Sequence, residues 1–252
     1  MDDRTVGNRI AADLRRRIVT GALPPGAGLP SERELGEQYN ASRGTIRRAL
    51  GILVNEGLVT SRSGLGHFVR SGEQVRFPHS LAESRAGRQA ATQDVWRSWV
   101  AGLGRKGDAI LTVAIDVPPA HVAEAFGIPA GEKVVIRRRT RLVDGEPWML
   151  SDAHFPLSIA GDTPLAQAGD LQPGPLVLLR ELGHEPVRHA DEIRGRMPTP
   201  EEAKALSLEA GVPIIEVTRV SCDKNGTTVR ATVNVFPANR FIVVYDLDED
   251  RA

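Results

Sequence analysis

Apolar residues recur every four positions at Val6, Ile10, Leu14 and Ile18, which predicts one amphipathic helix that stops at Gly21, just ahead of Pro24 and Pro25. Ser31 followed by Glu34 has the spacing of a capping box and predicts a short second helix over residues 32–38. After a break at Asn40, Ser42 is placed to cap a third helix, whose core positions Ile46, Ala49, Leu50 and Leu53 fall at helical spacing before Gly57. The period then changes to that of strands, over residues 58–61 and 67–70. Between them Ser63, Gly64, Leu65 and Gly66 form a tight turn in which two glycines are free to take positive φ. Three helices and a two-stranded hairpin predict a winged helix-turn-helix over residues 1–70.

Residues 71–106 lack steady periodicity. Their small, polar stretch SLAESRAGRQAATQ reads as a linker in which Trp96 and Trp99 are the strong packing groups, docked on a second domain rather than stacked on a ligand. From Asp108 strands and helices interleave. Strands are predicted over 109–117, 134–143, 148–155, 185–194, 214–222, 228–236 and 241–245, the last closing the sheet. Short helices are predicted over 120–126, 163–168 and 175–182, and Thr199 is placed to cap another through Leu206. Asp144-Gly145 and Asn225-Gly226 mark two hairpins, the second a type I′ signal. The hairpin-rich pattern predicts an α+β domain with a mostly antiparallel sheet over residues 107–248.

The length of 252 residues permits these two domains. No stretch approaches the roughly 18 apolar residues of a membrane span, and the N-terminus has no apolar core behind a basic start, so a cytoplasmic protein without a membrane partner is expected. The single cysteine, Cys222, fits a reducing compartment. A net charge of zero conceals an asymmetry: residues 1–70 hold 11 Lys+Arg against 7 Asp+Glu, leaving 21 against 25 in the remainder. A basic head on an acidic body points to a module that faces nucleic acid.

That head concentrates Arg43, Arg47 and Arg48 on the opening turns of the third helix. In helix-turn-helix modules those turns enter the major groove, where arginine donates paired hydrogen bonds to guanine O6 and N7. Arg43 and Arg47 share a face, Thr45 can reach a base edge or a phosphate, and Gly44 gives up a side chain for close backbone approach. A solvated polar face on a core helix is the bland alternative. One recognition helix reads too few bases to be selective, so a homodimer on an inverted repeat of double-stranded DNA is expected.

The segments GALPPGAGLPSEREL, SRGTIRRAL, EGLV and GLGHFV, in this order and spacing, resemble the DNA-binding domain of GntR-type bacterial transcription regulators. The resemblance implies DNA contacts from Arg33, Ser42, Arg43, Thr45 and Arg47, with Ser63 and Gly64 in the wing reaching toward the minor groove. Gly44 departs from the Thr or Val of many relatives, so the operator sequence does not carry over. Farther on, RLVDGEP, GHEPV, MPTPEEAKAL, GVPIIEVTRV and FPANRF resemble the UTRA ligand-sensing domain, which shares its fold with chorismate lyase. This implies a regulator, in the usual case a repressor, whose operator binding is changed by a small-molecule effector, and it argues against the all-helical sensor domains of other GntR proteins.

By the same resemblance the sensing residues are Arg139, Arg141, Ser151, Arg230 and Phe236. Ser151 and Arg230 stand where relatives keep a glutamate, so acceptors for sugar hydroxyls are missing. Arg139 and Arg141, with Arg137, alternate onto one face of a strand and can grip a carboxylate or phosphate, which makes an anionic metabolite the expected effector. A solvated cationic strand is the alternative. The chorismate-lyase likeness also allows a lyase using Glu181, Glu185, Asp191 or Glu192, and a DNA-binding dimer without a ligand is a third reading. No Gly-x-Ser-x-Gly elbow or phosphate loop supports an enzyme, and no cofactor is expected. His184 and His189 have no third ligand at metal spacing, so no metal site is expected either.

Overall fold

The computed structural model describes residues 3–62, 64–70, 74–82, 95–171 and 174–246. Its contacts divide the chain into two units, the first built on residues 1–75 and the second on residues 76–207 and 213–252.

In the first unit the four-residue apolar repeat becomes α1 (Asp3–Val19), followed by α2 (Glu32–Tyr39) and α3 (Arg43–Asn55). Ile10, Leu14, Leu35, Ile46, Leu50 and Leu53 are buried in one core together with Val59 and Val69 from the hairpin. Each such aliphatic side chain contributes about 1.5–3 kcal/mol when taken out of water. The capping box at Ser31 forms: the Glu34 N–H donates to Ser31 Oγ at 3.3 Å, and the Ser31 N–H donates to the Glu34 carboxylate at 2.8 Å. Asn40, at φ 48°, ends α2 in the left-handed region that asparagine tolerates and so sets the turn into α3. The wing consists of β1 (Val59–Arg62) and β2 (Gly66–Val69), antiparallel with Thr60 opposite Phe68, and Gly64 and Gly66 take the expected positive φ.

The second unit is built on a six-stranded antiparallel sheet. In spatial order its strands are β4 (Gly107–Asp116), β5 (Val134–Val143), β6 (Glu146–Pro156), β9 (Thr228–Pro237), β8 (Ile214–Cys222) and β7 (Arg188–Arg196). Asp144 and Gly145 both have positive φ, 52° and 85°, the type I′ geometry that closes the β5–β6 hairpin. The β8–β9 hairpin departs from that expectation. Only Gly226 takes positive φ there, because Asp223 Oδ1 accepts the amides of Asn225 and Thr227 and shapes a longer loop in its own way.

Two helices, Ala120–Phe126 and Pro200–Ala205, belong to the sheet face that carries Glu216 and Thr218. His121 approaches Thr218 at 3.5 Å, and Arg196 bonds both Glu202 (2.7 Å) and Glu216 (2.6 Å). Glu202 also completes a capping box with Thr199. The opposite face carries Val135, Ala153 and Phe155, which pack with Ala160, Leu165 and Leu179 from the segment after β6. The final strand, β10 (Phe241–Val244), does not close the large sheet as expected. It pairs with β3 (Val75–Pro78) in a separate two-stranded sheet. The stretch expected as a linker therefore contributes structure of its own: β3, the turn of helix His79–Ala82 and the helix Val95–Gly102. Its aromatic residues explain this. Phe77, Trp96 and Trp99 join Phe236 and Phe241 in one cluster with ring centroids 5.0–6.5 Å apart, and Trp96 Nε1 donates to the Leu142 carbonyl at 3.0 Å. Residues 71–73 and 83–94 lie outside the described residues.

Candidate functional site

The first unit presents α3 with an electrostatic oddity. A helix N-terminus carries partial positive charge and favours acidic residues. α2 obeys, with Glu32 and Glu34 in its first turn. α3 has no acidic residue there and begins on Arg43. Ser42, Arg43, Gly44 and Arg47 are exposed, and Arg43 has no hydrogen-bond or ion-pair partner among the described residues. Arg47 Nε lies 2.9 Å from Glu32, its side chain still 69% exposed, and Arg33 pairs with Glu37 at 2.7 Å on the α2 surface. A Cβ built on Gly44 would meet only Ser42 Oγ, at 3.8 Å, so nothing inside the fold requires glycine at this exposed helical position.

Thr45 differs from its neighbours. It is 2% exposed, its N–H donates to Ser42 Oγ at 3.2 Å and its hydroxyl lies 2.7 Å from the same oxygen. In this conformation its role is to brace the helix cap rather than to reach a base. Gly64 stands exposed at the wing tip beside Leu65, while Ser63 lies outside the described residues.

In the second unit the register brings part of the expected sensing set together. Arg139 is opposite Ser151, Ser151 is opposite Asn234, and Arg141 is opposite Met149. From the sheet, Arg141, Met149, Ser151 and Asn234 line a cavity that is partly open to solvent. The other wall comes from Phe77, His79, Val95 and Trp96. Trp96 thus both docks in the aromatic cluster and faces the cavity. Phe236 is fully buried behind that wall, with ring centroids 5.5 Å from Phe77 and 6.0 Å from His79.

The remaining arginines of the expected set are placed otherwise. Arg137 is fully buried and donates to the carbonyls of Leu165, Gln167 and Gly169 at 3.0, 2.9 and 2.5 Å, strapping that loop onto the sheet. Burial lowers its pKa, partly offset by the charge of Asp170. Arg139, 8% exposed, lies 3.5 Å from Asp170. Arg230 does not line the cavity. It sits four residues along β9 from Asn234, about 13 Å away at 3.3 Å per residue, opposite Ser221.

Two of the four acids named for a lyase are occupied. Asp191 is held by Arg219 through bonds of 2.6 and 2.5 Å; burial works to raise its pKa, but the hydrogen bonds and charge of Arg219 outweigh it and hold the carboxyl low. Glu192 pairs with Arg194 at the surface, 2.7 Å away. Among the described residues no cluster of three His, Cys, Asp or Glu side chains is arranged to hold a metal ion, and no helix is long and apolar enough to cross a membrane.

Sequence reasoning missed Phe77, His79 and Asn234. The last had a usable signal, since an asparagine inside the apolar run TVRATVNVFP is costly to bury without a polar purpose.

Comparison with known proteins agrees with this division. Residues 106–242 match the UTRA domain, and residues 7–69 match the bacterial regulatory proteins of the gntR family. The chain is 26% identical over 241 residues to the HTH-type transcriptional repressor NagR of Bacillus subtilis, covering 95% of this chain and 93% of that protein. It is 30% identical over 227 residues to the HTH-type transcriptional regulator Rv0792c of Mycobacterium tuberculosis, covering 89% and 79%. Among solved structures, PhnF from Mycobacterium smegmatis superposes with a TM-score of 0.53 at 22% identity, covering 95% of this chain and 99% of that one, a likeness of fold.

Proposed function

The chain belongs to the GntR family of bacterial regulatory proteins that carry a UTRA domain, and from that premise we propose that it acts in the cytoplasm as a homodimeric repressor released from its operator by a small anionic metabolite. Residues 1–70 bind one half-site of an inverted repeat, with Arg43 reading a base edge, Arg33, Ser42, Gly44 and Arg47 beside it, and Gly64 with Ser63 at the wing. Thr45 holds the cap that aims them. Residues 107–248 bind the effector and dimerise. Residues 71–106 connect the two and contribute to the cavity wall. Of the sensing set, Arg141 and Ser151 face the ligand, Arg139 and Phe236 support them from the neighbouring row and the aromatic wall, and Arg230 lies outside the pocket.

The observation that carries the reading is the exposed Arg43 at the start of α3, without a partner among the described residues and followed by a glycine that the fold does not need. A regulator needs only modest coupling between its sites, since about 1–3 kcal/mol changes affinity 5- to 150-fold. The test selects an operator from random duplexes with the full chain, then measures its affinity with and without carboxylate and phosphate probes, and the oligomeric state by sedimentation. Weaker binding in the presence of a probe and a dimer at micromolar concentration are expected. A monomer on and off DNA, or an operator affinity indifferent to every probe, contradicts the reading.

A further inference from the structure

We infer that Arg48, with its stem laid over Gly7 of α1, is a phosphate anchor that fastens the flank of α3 to the DNA backbone. This rests on the reading of residues 1–70 as the operator-binding unit.

A glycine inside a helix is the first observation. Gly7 lies buried in the second turn of α1, although glycine is a poorer helix former than any residue but proline. Its backbone does not explain the choice, because it is not among the glycines with positive φ. Space does. A Cβ built on Gly7 would stand 3.3 Å from Arg48 Cδ, 3.6 Å from Arg48 Cγ and 3.6 Å from the Thr45 carbonyl oxygen. The missing side chain leaves a notch in α1, and the aliphatic stem of Arg48 rests in it.

Direction is the second. Successive residues of an α-helix point about 100° apart, so Arg43 and Arg47 share one side of α3 while Arg48 turns away from both, toward α1. A helix with its side chains is about 10–12 Å across and the major groove about 12 Å wide. A side chain that leaves the flank of the recognition helix therefore meets the phosphates bordering the groove, not the base edges on its floor. Arg48 is exposed, so its guanidinium can exchange water for a phosphate at little cost.

Energetics is the third. An arginine stem already packed along a helix has less freedom to lose when its guanidinium is fixed, so the notch preorganises the contact. Neutralising one phosphate releases counterions whatever the sequence, and log affinity then falls with log salt by about 0.9 for each phosphate. At about 0.1 M salt that single contact amounts to about 8-fold in affinity relative to 1 M. Arg48 in this role adds hold without choice, beside an Arg43 that adds choice.

Titration of the full-length chain against its selected operator and an unrelated duplex of equal length, across a salt series, tests the inference. At about 0.1 M salt Arg48→Gln should bind both duplexes about 8-fold less tightly than wild type, with the salt slope smaller by about 0.9 on each. Arg48→Lys should keep the slope, since a point charge suffices for a phosphate. Gly7→Ala should weaken both duplexes to a lesser degree with the slope kept, because its Cβ lifts the stem and leaves the charge. Circular dichroism establishes that the variants fold. Arg48→Gln that matches wild type on both duplexes overturns the anchor, and a loss confined to the operator makes Arg48 a base reader instead. Gly7→Ala that matches wild type overturns the role of the notch. A wild-type chain that prefers no duplex contradicts the operator reading, and the slope on the unrelated duplex still decides Arg48.

Discussion

The two units use arginine in opposite ways. In the first, Arg33, Arg43 and Arg47 are exposed, and two of them hold only surface pairs with Glu37 and Glu32, which are worth about 0–1 kcal/mol. In the second, Arg137 and Arg219 are buried and engaged, one by backbone carbonyls and the other by Asp191. Arg196, half-buried, is bound by two glutamates, the hydrogen bonds of Glu202 and then of Glu216 raising its pKa. An exposed guanidinium on a helix start can be surrendered to an outside anion at little cost. A buried one cannot leave its partners without stranding them. Arginine content alone therefore does not distinguish a ligand site from a scaffold: of the row expected on β5, Arg141 lines the cavity and Arg137 does not.

The sharpest way to break this comparison is to remove a scaffold arginine. Arg137→Ala strands the buried Leu165 carbonyl and releases the Gln167 and Gly169 carbonyls of the exposed loop, and at about 1–3 kcal/mol for a buried group left unpaired it should cost about 2 kcal/mol or more of folding stability in urea. A loss below about 1 kcal/mol would show that the strap is idle. Next in size, Arg43→Ala should leave stability unchanged and lose about 1–3 kcal/mol of operator affinity, with selectivity relaxed at one base pair. Equal losses on operator and unrelated DNA would reassign Arg43 to a phosphate.

Gly44→Ala sharpens the point, because alanine is the better helix former by up to about 1 kcal/mol and its Cβ has room. The variant should melt slightly higher yet bind the operator less well. Unchanged binding would remove the case for close backbone approach.

The smallest effect concerns two buried groups on the other face of the sheet. Burial raises the Asp152 carboxyl to about 6, with Arg138 pulling it down and Glu202 pushing it up. Burial likewise lowers His154 to about 4, with backbone contacts opposing and the charges of Arg138 and His121 adding to it. The raised carboxyl favours the fold at low pH, an advantage lost as pH rises through about 6. The depressed histidine favours the fold above its unfolded value near 6.5, an advantage lost as pH falls through about 4. The two oppose each other between about pH 4 and 6.5, so the melting temperature of the wild type should change little there, and that of Asp152→Asn should rise with pH. A flat profile in both would show that His154 is not perturbed.

Local patterns were legible in the sequence because their causes are local. The capping boxes at Ser31 and Thr199, the Asp144-Gly145 turn and the core spacing of α3 each depend on residues within a few positions. The pairing of β10 with β3 joins residues more than 160 apart, and no local period announces it. The Asn225-Gly226 turn misled because Asp223 competes for the same amides. In the candidate sites, exposure decided what residue type could not: Thr45 lies between two exposed arginines in sequence but on the buried side of the helix, and Arg137 shares the strand face of Arg141 but is already spent on the loop. The aromatic wall escaped because Phe77 and His79 lie in a stretch whose fold depends on distant rings.

The proposed sequence-specific DNA recognition by the exposed face of α3 is addressed most directly by one measurement: the affinity of the full chain for its selected inverted repeat against an unrelated duplex of equal length at one salt concentration. Specific regulators prefer their sites by roughly 10³-fold or more. The prediction is a preference of that order for wild type, kept by Arg141→Gln and much reduced by Arg43→Ala. Equal affinity of the wild-type chain for both duplexes would contradict it.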